Sequence, residues 1–144
     1  MDPTALPPVE LTIDVPVDAA LAWRYLTDPD RVAEWFTEAS PVGPEGAPYR
    51  LDFGDGSVVD GRIVALEPGR RLAYSWAWTD AEPRLETLVT WTIEPLPGGG
   101  CRISLEHSGW SEAGADESLR DDHESYWSGY LDDLKALLEE AAAT

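Results

Sequence analysis

The chain has 144 residues, of which 28 are acidic and 10 are Lys or Arg, so its formal net charge at neutral pH is −18. Phosphate backbones and anionic lipid headgroups repel such a polyanion, and its few cations do not cluster, so we expect neither a nucleic acid nor a membrane partner. With 43% hydrophobic residues, including 7 Trp, the chain has enough apolar surface to fold as one ordinary domain.

Cysteine content and the first residues bear on the location of the protein. Cys101 is the only cysteine, which excludes an internal disulfide and a cysteine-based metal cage. The start of the chain lacks the basic residues and apolar stretch of a secretory signal, and no apolar run is long enough for a membrane span. We therefore expect a soluble, cytoplasmic protein.

The chain begins with a proline-rich segment that leads into a strand. Three prolines predict a flexible N-terminal tail over residues 1–8, and a single domain follows over residues 9–144. Apolar and polar residues then alternate over Val9–Val15, which is the period of a half-buried strand.

Two short helices follow the first strand. Asp18 can cap the first, and Asp28 followed by Pro29 is typical of a new helix start. The second helix ends before a loop rich in Pro and Gly over residues 40–46.

Five more strands are separated by turns at residues 54–56, 67–69, 81–83 and 97–100. Each strand has one apolar face, and its members, strand by strand, are Tyr49, Leu51 and Phe53; Val59, Ile63 and Ala65; Leu72, Tyr74, Trp76 and Trp78; Leu85, Val89, Trp91 and Ile93; Cys101, Ile103, Leu105 and His107. One apolar face and one polar face predict an antiparallel sheet that packs on one side only.

The last segment repeats apolar residues at three- and four-residue steps opposite acidic ones, which predicts a long amphipathic helix. Its apolar positions are Leu119, His123, Tyr126, Trp127, Tyr130, Leu134, Leu137 and Leu138. Gly129 interrupts this helix and suggests close backbone approach or room for a ligand, with a solvent-facing glycine as the alternative. The order of elements predicts an α+β domain in which a curved six-stranded antiparallel sheet wraps around the C-terminal helix.

Several segments, in this order along the chain, resemble one superfamily. They are PVDAALAW at residues 16–23, LTDP at 26–29, Trp35-Phe36, Gly61, LAYSW at 72–76, HSGW at 107–110 and Gly129-Tyr130. The chain resembles the helix-grip superfamily (START-like, SRPBCC, birch-pollen-allergen-like), and within it the branch named after the activator of the heat-shock protein 90 ATPase. The resemblance implies a cavity between sheet and helix that binds apolar or amphipathic small molecules.

Strand parity and helix periodicity direct many aromatic side chains into this space, while Trp35, Phe36 and Trp110 are expected at its mouth. The predicted ligand-binding residues are Trp35, Phe36, Tyr49, Phe53, Tyr74, Trp76, Trp78, Trp91, His107, Trp110, His123, Tyr126, Trp127 and Tyr130. The alternative for any one ring is ordinary core packing, because cores and apolar pockets are lined by the same residue types. Most carboxylates fall on the outer faces, so we expect little negative charge in the cavity.

His107 is the one weak candidate for a catalytic residue, with His123 or Tyr126 as an assistant, because an inward-facing imidazole can accept and donate a proton. A buried histidine is more often a hydrogen-bonded structural residue. The two histidines and the scattered carboxylates show no metal-ligand spacing, and no phosphate-cradling loop is present, so we expect neither a metal nor a cofactor.

The leading hypothesis is a non-enzymatic protein that binds a lipid- or polyketide-like small molecule, with a role in stress response. The resemblance also implies two alternatives. One is a chaperone-associated regulator of the heat-shock protein 90 ATPase activator type, and the other is a cyclase- or dehydratase-like enzyme that uses His107.

Overall fold

The computed structural model describes residues 6–143. In chain order its elements are β1 (Val9–Val15), α1 (Ala19–Thr27), α2 (Pro29–Trp35), β2 (Glu38–Ala39), β3 (Pro48–Asp52), β4 (Val58–Glu67), β5 (Arg71–Trp78), β6 (Thr87–Pro95), β7 (Cys101–Ser108), α3 (Trp110–Ala113) and α4 (Glu117–Ala142). None of the helices in this part of the chain combines the length and apolar character that a membrane crossing requires.

The strands form one antiparallel sheet in the order β1-β7-β6-β5-β4-β3-β2. β1 pairs with β7 in continuous register, from Val9 opposite His107 to Val15 opposite Cys101. The first and last strands are therefore neighbours, although most of the chain separates them. Alternating burial along β7 shows that the sheet has one inner and one outer face, as the apolar pattern predicted.

Helix α4 packs against the inner face of the sheet. Its buried residues are His123, Trp127, Leu131, Leu134 and Leu138, and the aliphatic and aromatic ones join the core that the strands and α1 supply. The apolar stripe of the helix and the apolar face of the sheet bury one another, which is the arrangement that an α+β domain of this composition requires. The predicted helix-grip fold is confirmed.

Hydrogen bonds from side chains fix where α4 starts and how it meets the beginning of the domain. The Asp116 carboxylate accepts from the backbone N–H of Leu119 at 2.8 Å and caps the first turn. One turn later the Arg120 guanidinium donates to the carbonyls of Pro7 and Pro8 at 3.1 and 3.0 Å. Of the predicted tail, residues 1–5 lie outside the described residues, whereas the Leu6 N–H donates to the Ser111 hydroxyl in α3 and Pro7 and Pro8 accept from Arg120 in α4.

The structure differs from the sequence prediction in three local features. β2 is a two-residue strand that pairs with β3, so the sheet has seven strands rather than six. Leu85 lies in the loop before β6 instead of within the fourth predicted strand. Helix α3, a single turn that begins at Trp110, was not predicted.

Gly129 is an exposed residue of α4, and a Cβ atom built on it meets no atom within 4 Å. The solvent-facing alternative is therefore correct. Neither close backbone approach nor space reserved for a ligand explains this glycine.

Candidate functional site

A cavity of about 540 Å³ lies between α4 and the strand ends on one side of the sheet. It is lined by Phe36, Phe53, Asp55, Ser57, Trp76, Trp78, Asp80, Ala81, Leu85, Thr87, Trp110, Leu119, Asp122, His123, Tyr126, Trp127 and Tyr130. Its volume falls within the range of about 300–1,000 Å³ that is typical of small-ligand sites.

Most of the predicted ligand-binding residues come together in this wall. They are Phe36, Phe53, Trp76, Trp78, Trp110, His123, Tyr126, Trp127 and Tyr130. Phe36, at the end of α2, connects the two sides, with its ring centroid 5.5 Å from that of Phe53 and 4.8 Å from that of Tyr130. The end of the second short helix thus contributes Phe36 to the cavity, whereas Trp35 and Trp110, which were also expected at its mouth, are buried.

The other five predicted residues, Trp35, Tyr49, Tyr74, Trp91 and His107, are buried behind the wall. The Trp35 indole donates to the carbonyl of Tyr25, and the Trp91 indole donates to the Tyr74 hydroxyl at 3.1 Å. Tyr49 packs on Tyr74 with a centroid separation of 4.7 Å. Strand parity identified the correct sheet face for the four rings that lie on strands but could not show how far along the sheet the cavity extends.

Several lining residues were absent from the prediction. Thr87 shares the strand parity of Val89 and Trp91, so the same pattern could have identified it. Asp55 was assigned to a turn and Asp122 to the polar side of the helix, where solvent exposure was the expected outcome, and Asp80 was not assigned. Only the folded arrangement shows that these exposed positions surround one opening.

His107 is fully buried on β7 and is hydrogen-bonded through both ring nitrogens. The Trp127 indole donates to Nδ1 at 2.9 Å, and Nε2 lies 2.7 Å from the Thr87 hydroxyl oxygen. An indole nitrogen can only donate, so in the neutral ring Nε2 carries the proton and donates to Thr87. The Thr87 hydroxyl then donates to the Trp76 carbonyl at 3.3 Å. The imidazole of His107 therefore links β5, β6, β7 and α4 through hydrogen bonds.

His123 on α4 has the opposite arrangement. The Trp78 indole donates to its Nε2 at 3.0 Å, so Nδ1 carries the proton and donates to the carbonyl of Leu119 at 2.8 Å. The two imidazole centroids are 5.4 Å apart. Both rings are neutral in this network, and protonation of either would place two N–H groups face to face.

Burial is the main reason that the pKa values of both histidine rings are lowered. Burial, and then the proximity of His123, hold the pKa of His107 well below its usual value. Burial also lowers the pKa of His123, although the hydrogen bond to Leu119 and the charge of Asp122 oppose this effect. Neither histidine supplies a positive charge to the cavity near neutral pH.

Trp76 lies at the centre of the aromatic wall and is only 4% exposed. Its ring centroid is 5.3 Å from those of His107 and Trp127 and 5.6 Å from that of Trp78. Its indole N–H is a buried donor that has no hydrogen-bond partner within residues 6–143. The indoles of five other tryptophans all donate to protein acceptors.

The mouth of the cavity is acidic, which corrects the expectation of little negative charge. Asp55 lies on the β3–β4 hairpin, Asp80 follows β5, and Asp122 lies on α4, and all three are exposed. Burial and then the charges of Asp133 and Asp55 raise the pKa of Tyr130, so the hairpin carboxylate acts across the mouth on the helix. Within residues 6–143, no group of His, Cys, Asp and Glu side chains has an arrangement that could hold a metal ion.

Solved structures share this fold. DynU16, from the dynemicin biosynthetic locus, is 29% identical with a TM-score of 0.80, over 92% of this chain and 47% of DynU16. MLL2253 from Mesorhizobium loti is 24% identical with a TM-score of 0.83, over 92% and 97% of the two chains. Aha1 from Colwellia psychrerythraea, solved as a dimer in solution, is 19% identical with a TM-score of 0.78, over 93% and 97%. The chain thus spans about half the length of DynU16.

No curated protein matches the chain. A family model described as Activator of Hsp90 ATPase homolog 1-like protein matches residues 16–139, which include every element from α1 to most of α4. This match extends over most of the chain and agrees with the sheet that grips a C-terminal helix. The chain belongs to the Activator of Hsp90 ATPase homolog 1-like family.

Proposed function

We propose that the protein binds an apolar or amphipathic small molecule, such as a lipid- or polyketide-like compound, in the cavity between sheet and α4. The observation that carries this proposal is the cavity of about 540 Å³ with a predominantly aromatic wall. A wall of large rings with a few polar groups is typical of small-molecule sites. DynU16, the similar protein from a biosynthetic locus, supports a small-molecule ligand.

Binding without chemistry is the function that the geometry supports best. A general acid or base needs a ring nitrogen within reach of the substrate. His107 is behind the wall with both nitrogens hydrogen-bonded, and His123, although it lines the cavity, directs its Nε2 to Trp78. The cyclase- or dehydratase-like alternative would first have to break one of these bonds.

Titration with a neutral solvatochromic dye such as Nile red tests the proposal. We expect saturable binding with a blue-shifted emission, because the dye moves from water to an aromatic environment. Ser57→Trp should abolish this binding by filling the mouth, whereas Thr92→Trp on the exposed face of β6 should leave it unchanged. Equal dye binding by both variants would place the apolar site elsewhere and contradict the proposal.

The family description favours a second candidate, regulation of an Hsp90-type chaperone. An acidic surface can associate quickly with a basic surface on a partner, and such association weakens with salt. If this role holds, addition of the protein raises the ATPase rate of the purified chaperone at low ionic strength. An unchanged rate, together with dye binding, would leave small-molecule binding as the function.

A further inference from the structure

The mouth of the cavity has an uncompensated negative charge. Asp55, Asp80 and Asp122 come from three separate elements, and none of them forms an ion pair within the described part of the chain. No Lys or Arg occurs among the described residues that line the cavity. A ligand that enters must therefore pass, or remain beside, three carboxylates with no cation to offset them.

The wall of the cavity contains aromatic rings and one buried hydrogen-bond donor, the Trp76 indole, that has no partner among the described residues. Trp78, Tyr126 and Tyr130 line the same cavity as the carboxylates, and Tyr126 is 58% exposed despite its size. Aromatic faces attract organic cations through their quadrupole, most strongly where water is excluded. Trp76 lines the same cavity, and its buried indole N–H has no hydrogen-bond acceptor in the part of the chain that the structure describes. A buried donor without a partner costs about 1–3 kcal/mol, which a ligand acceptor would recover.

These features disfavour an anionic ligand such as a fatty acid carboxylate. The three carboxylates repel it, and the two histidines near the cavity are neutral because burial lowers the pKa of each ring, one nitrogen of which accepts from an indole. A neutral ligand would use the rings and the indole donor but would leave the acidic mouth without a counter-charge.

We propose that the cavity selects an organic cation, which has an aromatic or amphipathic apolar body, an ammonium group at the acidic mouth, and an uncharged hydrogen-bond acceptor for the Trp76 indole. This inference rests on the proposed small-molecule function and specifies the chemical class of its ligand. The ammonium group lies between carboxylates and aromatic faces, the apolar body contacts Phe36 and Phe53, and a carbonyl or ether oxygen accepts from Trp76.

Calorimetric titration with three naphthalene probes tests the charge preference. The probes are (2-naphthylmethyl)trimethylammonium, neutral 2-naphthaleneethanol and anionic 2-naphthylacetate, which share one apolar body. We expect the cation to bind about tenfold more tightly than the neutral probe, with the anion weakest, and we expect this preference to shrink with added salt. Neutral binding as tight as cation binding overturns this inference and leaves the proposed function intact. No binding by any of the three would remove both.

Substitution of the acidic residues at the mouth distinguishes the effect of the local charge on ligand binding from the effect of the overall charge of the protein. A triple variant, Asp55→Asn, Asp80→Asn and Asp122→Asn, should lose most of the cation preference and keep its affinity for the neutral probe. The matched control, Glu10→Gln, Glu139→Gln and Glu140→Gln, makes the same change in net charge at exposed residues outside the cavity wall and should keep the preference. Equal loss in both triple variants would attribute the preference to the overall charge of −18 and contradict a selective site.

The proposed hydrogen bond from the Trp76 indole N–H to the ligand is tested with a pair of uncharged probes. The native protein should bind 2-acetylnaphthalene several-fold more tightly than 2-isopropylnaphthalene, because only the ketone accepts a hydrogen bond. Trp76→Phe removes the indole N–H and keeps an aromatic ring, so it should abolish this difference. A ketone preference that survives in Trp76→Phe would show that another group is the donor.

Discussion

His107 and His123 are neutral rings held in opposite tautomers, because one tryptophan indole donates to Nδ1 of the first and another donates to Nε2 of the second. Each histidine also connects elements that are distant in sequence, and His107 does so across β6, β7 and α4. Their positions on inward faces were evident from the sequence. Their protonation was not, since it depends on indoles and a hydroxyl that only the tertiary structure brings near.

The opposite tautomers are directly measurable, since the chain has only two histidines. We expect two-bond ¹H–¹⁵N spectra to show the Nε2–H form for His107 and the Nδ1–H form for His123, with His107 remaining neutral well below pH 6.5. The variant His123→Gln assigns the signals. Identical tautomers for both rings would contradict the hydrogen-bond network.

Protonation of these rings couples stability to pH. Each native pKa lies below the unfolded value of about 6.5, so below that pH the unfolded chain binds protons that the native protein does not. The free energy of unfolding should therefore fall as pH decreases from about 7, by up to about 1.4 kcal/mol per pH unit for each histidine. Urea denaturation should show a shallower fall in His123→Gln, whose amide retains both hydrogen bonds without titrating. If the unfolding free energy of His123→Gln fell with pH as steeply as that of the native protein, the coupling to His123 would be contradicted.

The Thr87 hydroxyl provides the acceptor for His107, and its removal should be costly. Thr87→Val preserves the shape of the side chain but leaves the buried Nε2–H unpaired. We expect a loss of about 1–3 kcal/mol in unfolding free energy, measured by urea denaturation. Thr92→Val, on the exposed face of the same strand, should change stability by less than about 0.5 kcal/mol. A similar small effect at both positions would show that Thr87 does not hold the imidazole.

Among the elements, two of the glycines quoted in the resemblance, Gly61 and Gly129, have opposite surroundings. A Cβ atom at Gly129 on α4 meets nothing within 4 Å, whereas one at Gly61 on β4 would lie 1.8 Å from the backbone oxygen of Ser75. Gly129→Ala should stabilise the protein by about 0.5–1 kcal/mol, since alanine is the better helix former. Gly61→Ala should destabilise it strongly because β4 and β5 would have to separate. Thermal unfolding of both variants checks these two predictions. A Gly129→Ala variant that is less stable than the native protein would contradict the finding that Gly129 has open space around it.

Elements with a long, regular pattern were predicted well from the sequence. Seven alternating residues identified β1, and the repeats of α4 identified four of its five buried residues but missed Leu131 and wrongly included the exposed Tyr126. β2 has only two residues, too few for alternation to be visible, and its pairing with β3 depends on the loop between them. The acidic mouth was missed for a related reason, because Asp80 and Asp122 are ordinary surface residues until β5 and α4 are placed side by side.

For the molecule as a whole, the net charge of −18 is a source of self-repulsion. Few ion pairs offset it among the described residues, and those formed by Arg31 and Arg102 are exposed. Salt should therefore stabilise the protein, by roughly 1 kcal/mol in unfolding free energy between about 20 mM and about 0.5 M NaCl. The effect should be smaller near pH 4, where free Asp and Glu side chains are about half protonated. A protein that is destabilised by salt at neutral pH would show that attractive pairs dominate instead.

The Trp127 indole that donates a hydrogen bond to His107 lies in a part of the chain that is synthesised after the sheet. Synthesis proceeds from the N-terminus, so every strand is made before α4, and the indole that completes the hydrogen bonds of His107 comes from that last helix. Until residues 117–142 have emerged from the ribosome, the nascent sheet has an uncovered apolar face and an imidazole without one of its partners. The cavity is therefore completed only after the seven strands of the sheet have been made, and truncation within α4 should yield an aggregation-prone sheet rather than a smaller binding protein.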